Sequence, residues 1–130
     1  MSRYKRKIPQ NHSGTVYVLE IKLEGEIVYK VGVTVYSVSR RVLQIIEGMH
    51  KSYGYFPEVR ILKQDKTRHH FKVEKAIHNQ LDEWKYVPDF VFTGSTELFK
   101  GVDRDVLLER YALALGNDED AEVSDRIYVY

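Results

Sequence analysis

What most constrains this chain is a pair of alternating apolar runs joined at a glycine: TVYVLEIKL at residues 15–23, then EGE, then IVYKVGVT at residues 27–34. Period-two alternation rich in β-branched residues marks half-buried strands, and a short polar turn between them makes an antiparallel hairpin. A hairpin alone is not stable in water, so the rest of the chain must cover it. The second strand has an odd end, in which Lys30 and then Gly32 come just before a helix begins. A glycine brings no side chain to a core and weakens a strand. Gly32 therefore implies a bulge or a close approach to the backbone, by a phosphate or by the adjacent helix.

The remaining elements follow from spacing. Ser37 can cap a helix whose apolar positions are Val38, Val42, Ile45, Ile46 and Met49, with Gly48 loosening its end. KSYGYF reads as a loop, EVRILK after Pro57 as a strand, and QDKT as a turn into a second helix. Phe71, Val73, Ala76, Ile77, Leu81 and Trp84 form that helix's buried stripe. FVFTGSTELFKG reads as a short strand pair broken at Gly94. Asp103 caps a last helix with Val106, Leu107, Tyr111, Ala112 and Leu115 inward and Gly116 at its stop. The expected fold is α+β, a small antiparallel sheet of mainly three strands flanked by helices.

At 130 residues, one domain with a real core is the natural organisation. Residues 1–13 read as a flexible basic arm, 14–116 as the folded domain, and 117–130 as an acidic tail whose IYVY can add a strand or pair across a homodimer. With no cysteine there is neither a disulfide framework nor a thiolate metal site. No apolar run reaches the roughly 18 residues of a membrane span, and MSRYKRKIPQ lacks a signal-peptide core, so a cytoplasmic location is expected. The net charge of +1 hides an asymmetry, because from Asp103 onward there are eight acids against three arginines. The body before it is correspondingly basic. Lysines and arginines that neutralise phosphates release counterions, so such a body suits a polyanion; an ordinary solvated surface has the same composition.

Candidate chemistry lies on the hairpin and two helices. Tyr17 and the Lys30-Val31-Gly32 tripeptide fall on neighbouring strands, and the first helix opens with Arg40 and Arg41. In the second long helix His70, Glu74 and His78 recur every four residues and share a face. A tyrosine, a lysine, an arginine, a histidine and one carboxylate suit phosphodiester hydrolysis: water must be oriented, phosphate held, and developing charge balanced by a hard cation. Each also has a plainer reading, Tyr17 as a strand residue, Arg41 as a surface arginine, and Glu74 with His78 as a solvated helix face. Zinc on His70, Glu74 and His78 is disfavoured because the HExxH spacing is absent.

The ordered set TVYVLEI, YKVGVT, SRRVLQI, KVEKAIHNQL and GSTELF, from about Gly14 to Gly101, resembles the GIY-YIG nuclease superfamily, in particular a phage and bacterial branch whose second tripeptide reads K-[IV]-G. The resemblance implies a DNA endonuclease, phage or mobile-element encoded, using Mg²⁺ or Mn²⁺. Tyr17 would serve as or assist the general base, Arg41 would bind the scissile phosphate with Arg40 as the register-shifted candidate, Glu74 would hold the metal, and His78 would relay a proton or contact phosphate. Glu97 and Phe99 match a closing acidic-aromatic pair. Lys30 replaces the second-motif tyrosine, and can hold phosphate as a point charge or orient water through Tyr17. Lys51, Lys63, Lys66, Arg68 and the basic arm would supply backbone affinity. The alternative is a catalytically degenerate module on the same scaffold that binds nucleic acid or protein.

Overall fold

The computed structural model describes residues 13–88, 97–116 and 128–129. The rest of the basic arm, Gly94 and the acidic linker lie outside the described residues. The hairpin forms as expected: β1 (Gly14–Leu23) and β2 (Glu26–Thr34) pair antiparallel, with Leu23 opposite Glu26. Glu24 and Gly25 both have positive φ, 48° and 87°, the conformation a two-residue turn needs to match strand twist. Next come α1 (Val38–Tyr53), β3 (Glu58–Thr67), α2 (His70–Gln80), β4 (Lys85–Tyr86), β5 (Leu98–Lys100), α3 (Arg104–Gly116) and β6 (Tyr128–Val129).

The strands form one antiparallel sheet in the order β4-β5-β2-β1-β3-β6. Three long strands make its centre, as the sequence implied, and three short ones widen it to six. The terminal strand pairs Tyr128 with Ile61 and Val129 with Arg60, so the IYVY segment uses β3 of its own chain as its partner.

Alternating residues of β1 face opposite layers. Tyr17, Leu19 and Ile21 pack against Val38, Val42, Ile45 and Met49 of α1, while Val16 and Val18 pack against Val73 and Ile77 of α2 and Leu107 and Tyr111 of α3. A one-residue register slip would carry Tyr17 to the wrong layer, so the packing of β1 also fixes one functional side chain. Among the described residues no helix is long and apolar enough to cross a membrane.

Four local expectations change. Helix α1 runs through Gly48 and stops at Gly54, which adopts φ 69° and returns its N–H to the His50 carbonyl at 2.7 Å. Ser37 does cap it, its Oγ accepting from the Arg40 N–H at 3.1 Å. Strand β3 continues through the polar QDKT, because Asp65 and Thr67 turn inward and are buried. Along α2 the buried line is His70, Val73 and Ile77, whereas Phe71 is exposed. On α3, Asp103 Oδ1 accepts from the Asp105 N–H at 2.9 Å, and the inward positions are Leu107, Tyr111, Ala114 and Leu115 with Ala112 outward.

Candidate active site

The site forms where the sheet runs out. Among the described residues, strand β5 pairs with β2 at Val28, Tyr29 and Lys30 and no strand is paired with β2 beyond Lys30 on that side. Val31 receives two substitutes: its N–H donates to the Glu97 carbonyl at 3.4 Å, and its carbonyl accepts from His78 Nε2 at 2.9 Å. Helix α2 is thus pinned beside the open end of β2. Glu74, one turn before His78, is brought to the same notch.

On the α1 side of the hairpin, Tyr17 lies directly opposite Gly32, and Lys30 is the next β2 residue on that face. A Cβ at Gly32 would sit 2.5 Å from the Tyr17 hydroxyl oxygen, so the glycine makes room for the tyrosine ring. This corrects the expectation that Gly32 admits a phosphate or a helix. Its hydrogen-only side chain is what allows Tyr17 to lie across the strand with its hydroxyl at the notch.

The Arg41 guanidinium lies close enough to the Tyr17 hydroxyl to favour its ionised form, and it donates through Nη1 to Gln44 Oε1 at 3.2 Å. Its Nε–H is buried and has no hydrogen-bond acceptor among the described residues. A buried donor left unsatisfied costs about 1–3 kcal/mol, and more on a charged group. Lys30 is almost wholly enclosed, and its Nζ lies 3.2 Å from Glu97 Oε2. Glu97 itself is held at φ 63°, in the left-handed region that costs a β-substituted residue of order 1–3 kcal/mol.

These groups sense one another. Burial, and after it the neighbouring charge of Glu97, push the Glu74 carboxyl up to about 7 against the pull of Lys30. Burial likewise drives the Lys30 amine below its ordinary value, opposed by Glu97 and reinforced by Arg41. The Tyr17 phenol is raised by burial, against the pull of the nearby Arg41 guanidinium, with Glu97 and Glu74 adding to the rise. Two carboxylates, one lysine and one arginine share a desolvated notch that favours neutral side chains, the environment in which acid-base groups are tuned toward neutrality.

The structure therefore brings together Tyr17, Lys30, Glu74, Arg41 and Glu97, with His78 as the bolt that positions α2. His78 Nε2 is committed to a backbone carbonyl, so this nitrogen is not free to relay a proton. Arg40 sits outside, exposed, with its guanidinium 5.4 Å from the Tyr36 ring centroid. Lys51, near the far end of α1, and Arg68, in the turn before α2, are both exposed and do not act on the shifted groups. The His70-Glu74-His78 line is broken because His70 turns inward over Gly14. No cluster of three His, Asp or Glu residues suited to a metal occurs among the described residues. Glu97 is the partner that sequence reasoning only half assigned.

A family model described as the T5orf172 domain matches residues 14–113, nearly the whole folded domain. The chain belongs to that family, which is distinct from the GIY-YIG superfamily, and the earlier resemblance is corrected accordingly. The likeness rested on five short segments in order along strands and helices, and Tyr17 facing Gly32 is a packing pair of the hairpin as much as a signature. No curated protein and no solved structure matches.

Proposed function

We propose that this T5orf172-domain protein is a metal-dependent endonuclease hydrolysing DNA phosphodiester bonds at the notch beside β2. What supports this reading is the convergence of Tyr17, Lys30, Arg41, Glu74 and Glu97 from separate elements at the end of β2, with Lys30 Nζ 3.2 Å from Glu97 Oε2 and the half-buried Glu74 sensing both. Water-excluded charge of this kind is what a phosphoryl transition state requires.

The donor set fits a hard divalent cation. Glu74, with Glu97 beside it, offers oxygen ligands whose mutual repulsion a cation relieves, and Mg²⁺ binds through one or two carboxylates with waters and substrate phosphate completing its shell. When bound, the cation supplies charge neutralisation and lowers the pKa of a coordinated water. The chain's own residues do the rest. Arg41, which lines the adjoining groove, clamps the scissile phosphate through its guanidinium. Tyr17, kept as a phenol by burial, orients the attacking water through its hydroxyl. Lys30, its amine lowered by burial and paired with Glu97, holds phosphate or orients the attacking water together with Tyr17.

Nicking of supercoiled plasmid in Mg²⁺ or Mn²⁺, wild type beside Glu74→Ala, tests the reading. Cleavage by wild type and its loss in the variant, with DNA binding retained, is the expected result. Equal rates in both preparations would place the activity elsewhere. A binding module with lost chemistry is favoured by one observation, the Lys30–Glu97 ion pair, which neutralises part of the site internally. Wild type that binds DNA without cutting it in either metal would select that reading.

A further inference from the structure

Two grooves at the start of α1 share Tyr36 as a common wall. One, of about 460 Å³, is lined by Arg40, Arg41 and Phe71 as well as Tyr36. The other, of about 510 Å³, is lined by Lys66 and by the hydroxyl-bearing Ser37 and Ser39. Arg41 belongs both to the notch and to the first groove, so any phosphate it holds has these surfaces beside it.

The two rings are exposed without a structural reason. Tyr36 is 64% and Phe71 58% accessible, and neither joins a core cluster. Tyr36 is nonetheless ordered: its N–H donates to Thr34 Oγ1 at 3.0 Å and Arg40 lies against its ring. Phe71 stands three residues before Glu74 and seven before His78, on the line of α2 that faces the notch. Exposed aromatic faces beside cations in a groove are the chemistry of single-stranded nucleic acid, whose bases stack while its phosphates pair. A base-paired duplex keeps those faces inside its own stack. A protein ligand would call for a wider apolar floor than two rings among arginines, lysine and serines.

The geometry points to unpaired DNA as the substrate: a strand with its scissile phosphate at Arg41, flanking bases stacked on Phe71 and Tyr36, and its backbone continuing to Lys66. This assignment rests on the hydrolytic reading of the notch for its polarity, and on the grooves alone for its stacking.

Fluorescence anisotropy tests it with a labelled oligothymidylate and a mixed-sequence duplex of equal length, in EDTA and at matched salt. Wild type should bind the single strand more tightly than the duplex. Tyr36→Ala and Phe71→Ala should each weaken single-strand binding roughly ten-fold, the scale of one lost base stack, while Tyr36→Phe stays within about two-fold. Duplex affinity should not move. Both side chains are exposed, so folding is retained, and circular dichroism checks it. Unchanged single-strand affinity in both alanine variants, a preference for duplex, or no binding of either probe overturns the proposal. EDTA removes turnover from the measurement, so these outcomes leave hydrolysis untouched. Conversely, a Glu74→Ala protein that nicks like wild type defeats the hydrolytic reading without altering these affinities.

Discussion

Two buried tyrosines lie on opposite faces of the same sheet, each beside an acid, and they behave differently. Tyr111 of α3 donates its hydroxyl to Asp65 Oδ2 and also reaches the Val16 carbonyl, and burial with the Asp65 charge pushes its phenol far above the ordinary range. Tyr17 shares its notch with an arginine, a lysine and two carboxylates, and a guanidinium N–H there is left without an acceptor. The first arrangement is closed and internally satisfied, so it specifies how α3 seats on β3. The second meets a groove through Arg41 and is unbalanced, with Lys30 pushed down and Glu74 pushed up. A polar cluster left unfinished by its own chain is the one to which a ligand adds something.

The contrast can be broken most sharply at Glu74. Glu74→Gln should lower the single-turnover cleavage rate by about 10³-fold, the scale of losing one transition-state charge contact, with circular dichroism unchanged. Tyr111→Phe should do the reverse. It leaves Asp65 buried without its donor and should cost about 3 kcal/mol in urea unfolding, with the cleavage rate per folded molecule preserved. Gly32→Ala joins the two kinds of effect, because its methyl group would press on the Tyr17 hydroxyl. A loss of about 2 kcal/mol together with a reduced rate is expected, and a variant as stable as wild type would show that the ring does not need that space.

The pH dependence sharpens the comparison further. A carboxyl raised from 4.5 to about 7 in the folded state favours the native protein when protonated, so its contribution is fully present below pH 4.5 and disappears as pH rises through 7. At pH 8, Glu74→Gln should therefore be about 1 kcal/mol more stable than wild type after solvent screening, a gain that vanishes near pH 4. Thermal melts at the two pH values measure it. The smallest effects belong to the outlying cations. Lys51→Ala and Arg68→Ala should leave the cleavage rate unchanged and reduce the salt slope of DNA binding by at most about one unit each.

The architecture was legible where one physical signal dominated. Period-two alternation gave both hairpin strands, the Ser37 cap located the start of α1, and the placement of Tyr17, Lys30, Arg41 and Glu74 on separate elements followed. Legibility ended where tertiary partners override local pattern. Nothing in QDKT announces a strand until Tyr111 is seen reaching across the sheet for Asp65. His70 and Phe71 exchange places because a histidine over Gly14 can be buried while a phenylalanine at the groove stays out, and residue type alone argues the opposite. Gly32 was recognised as a close approach, but the approaching group was Tyr17, its cross-strand neighbour, which only the register of the pair reveals. Five short segments in order also carried a family likeness that the whole-domain match replaced.

The most direct test is a side-by-side measurement of cleavage rate per folded molecule for wild type, Glu74→Gln and Tyr111→Phe in Mn²⁺ at pH 8. Cleavage abolished in the first variant and intact in the second is the expected pattern. Undiminished cutting by Glu74→Gln would contradict the assignment of the notch as the place where the phosphodiester is broken.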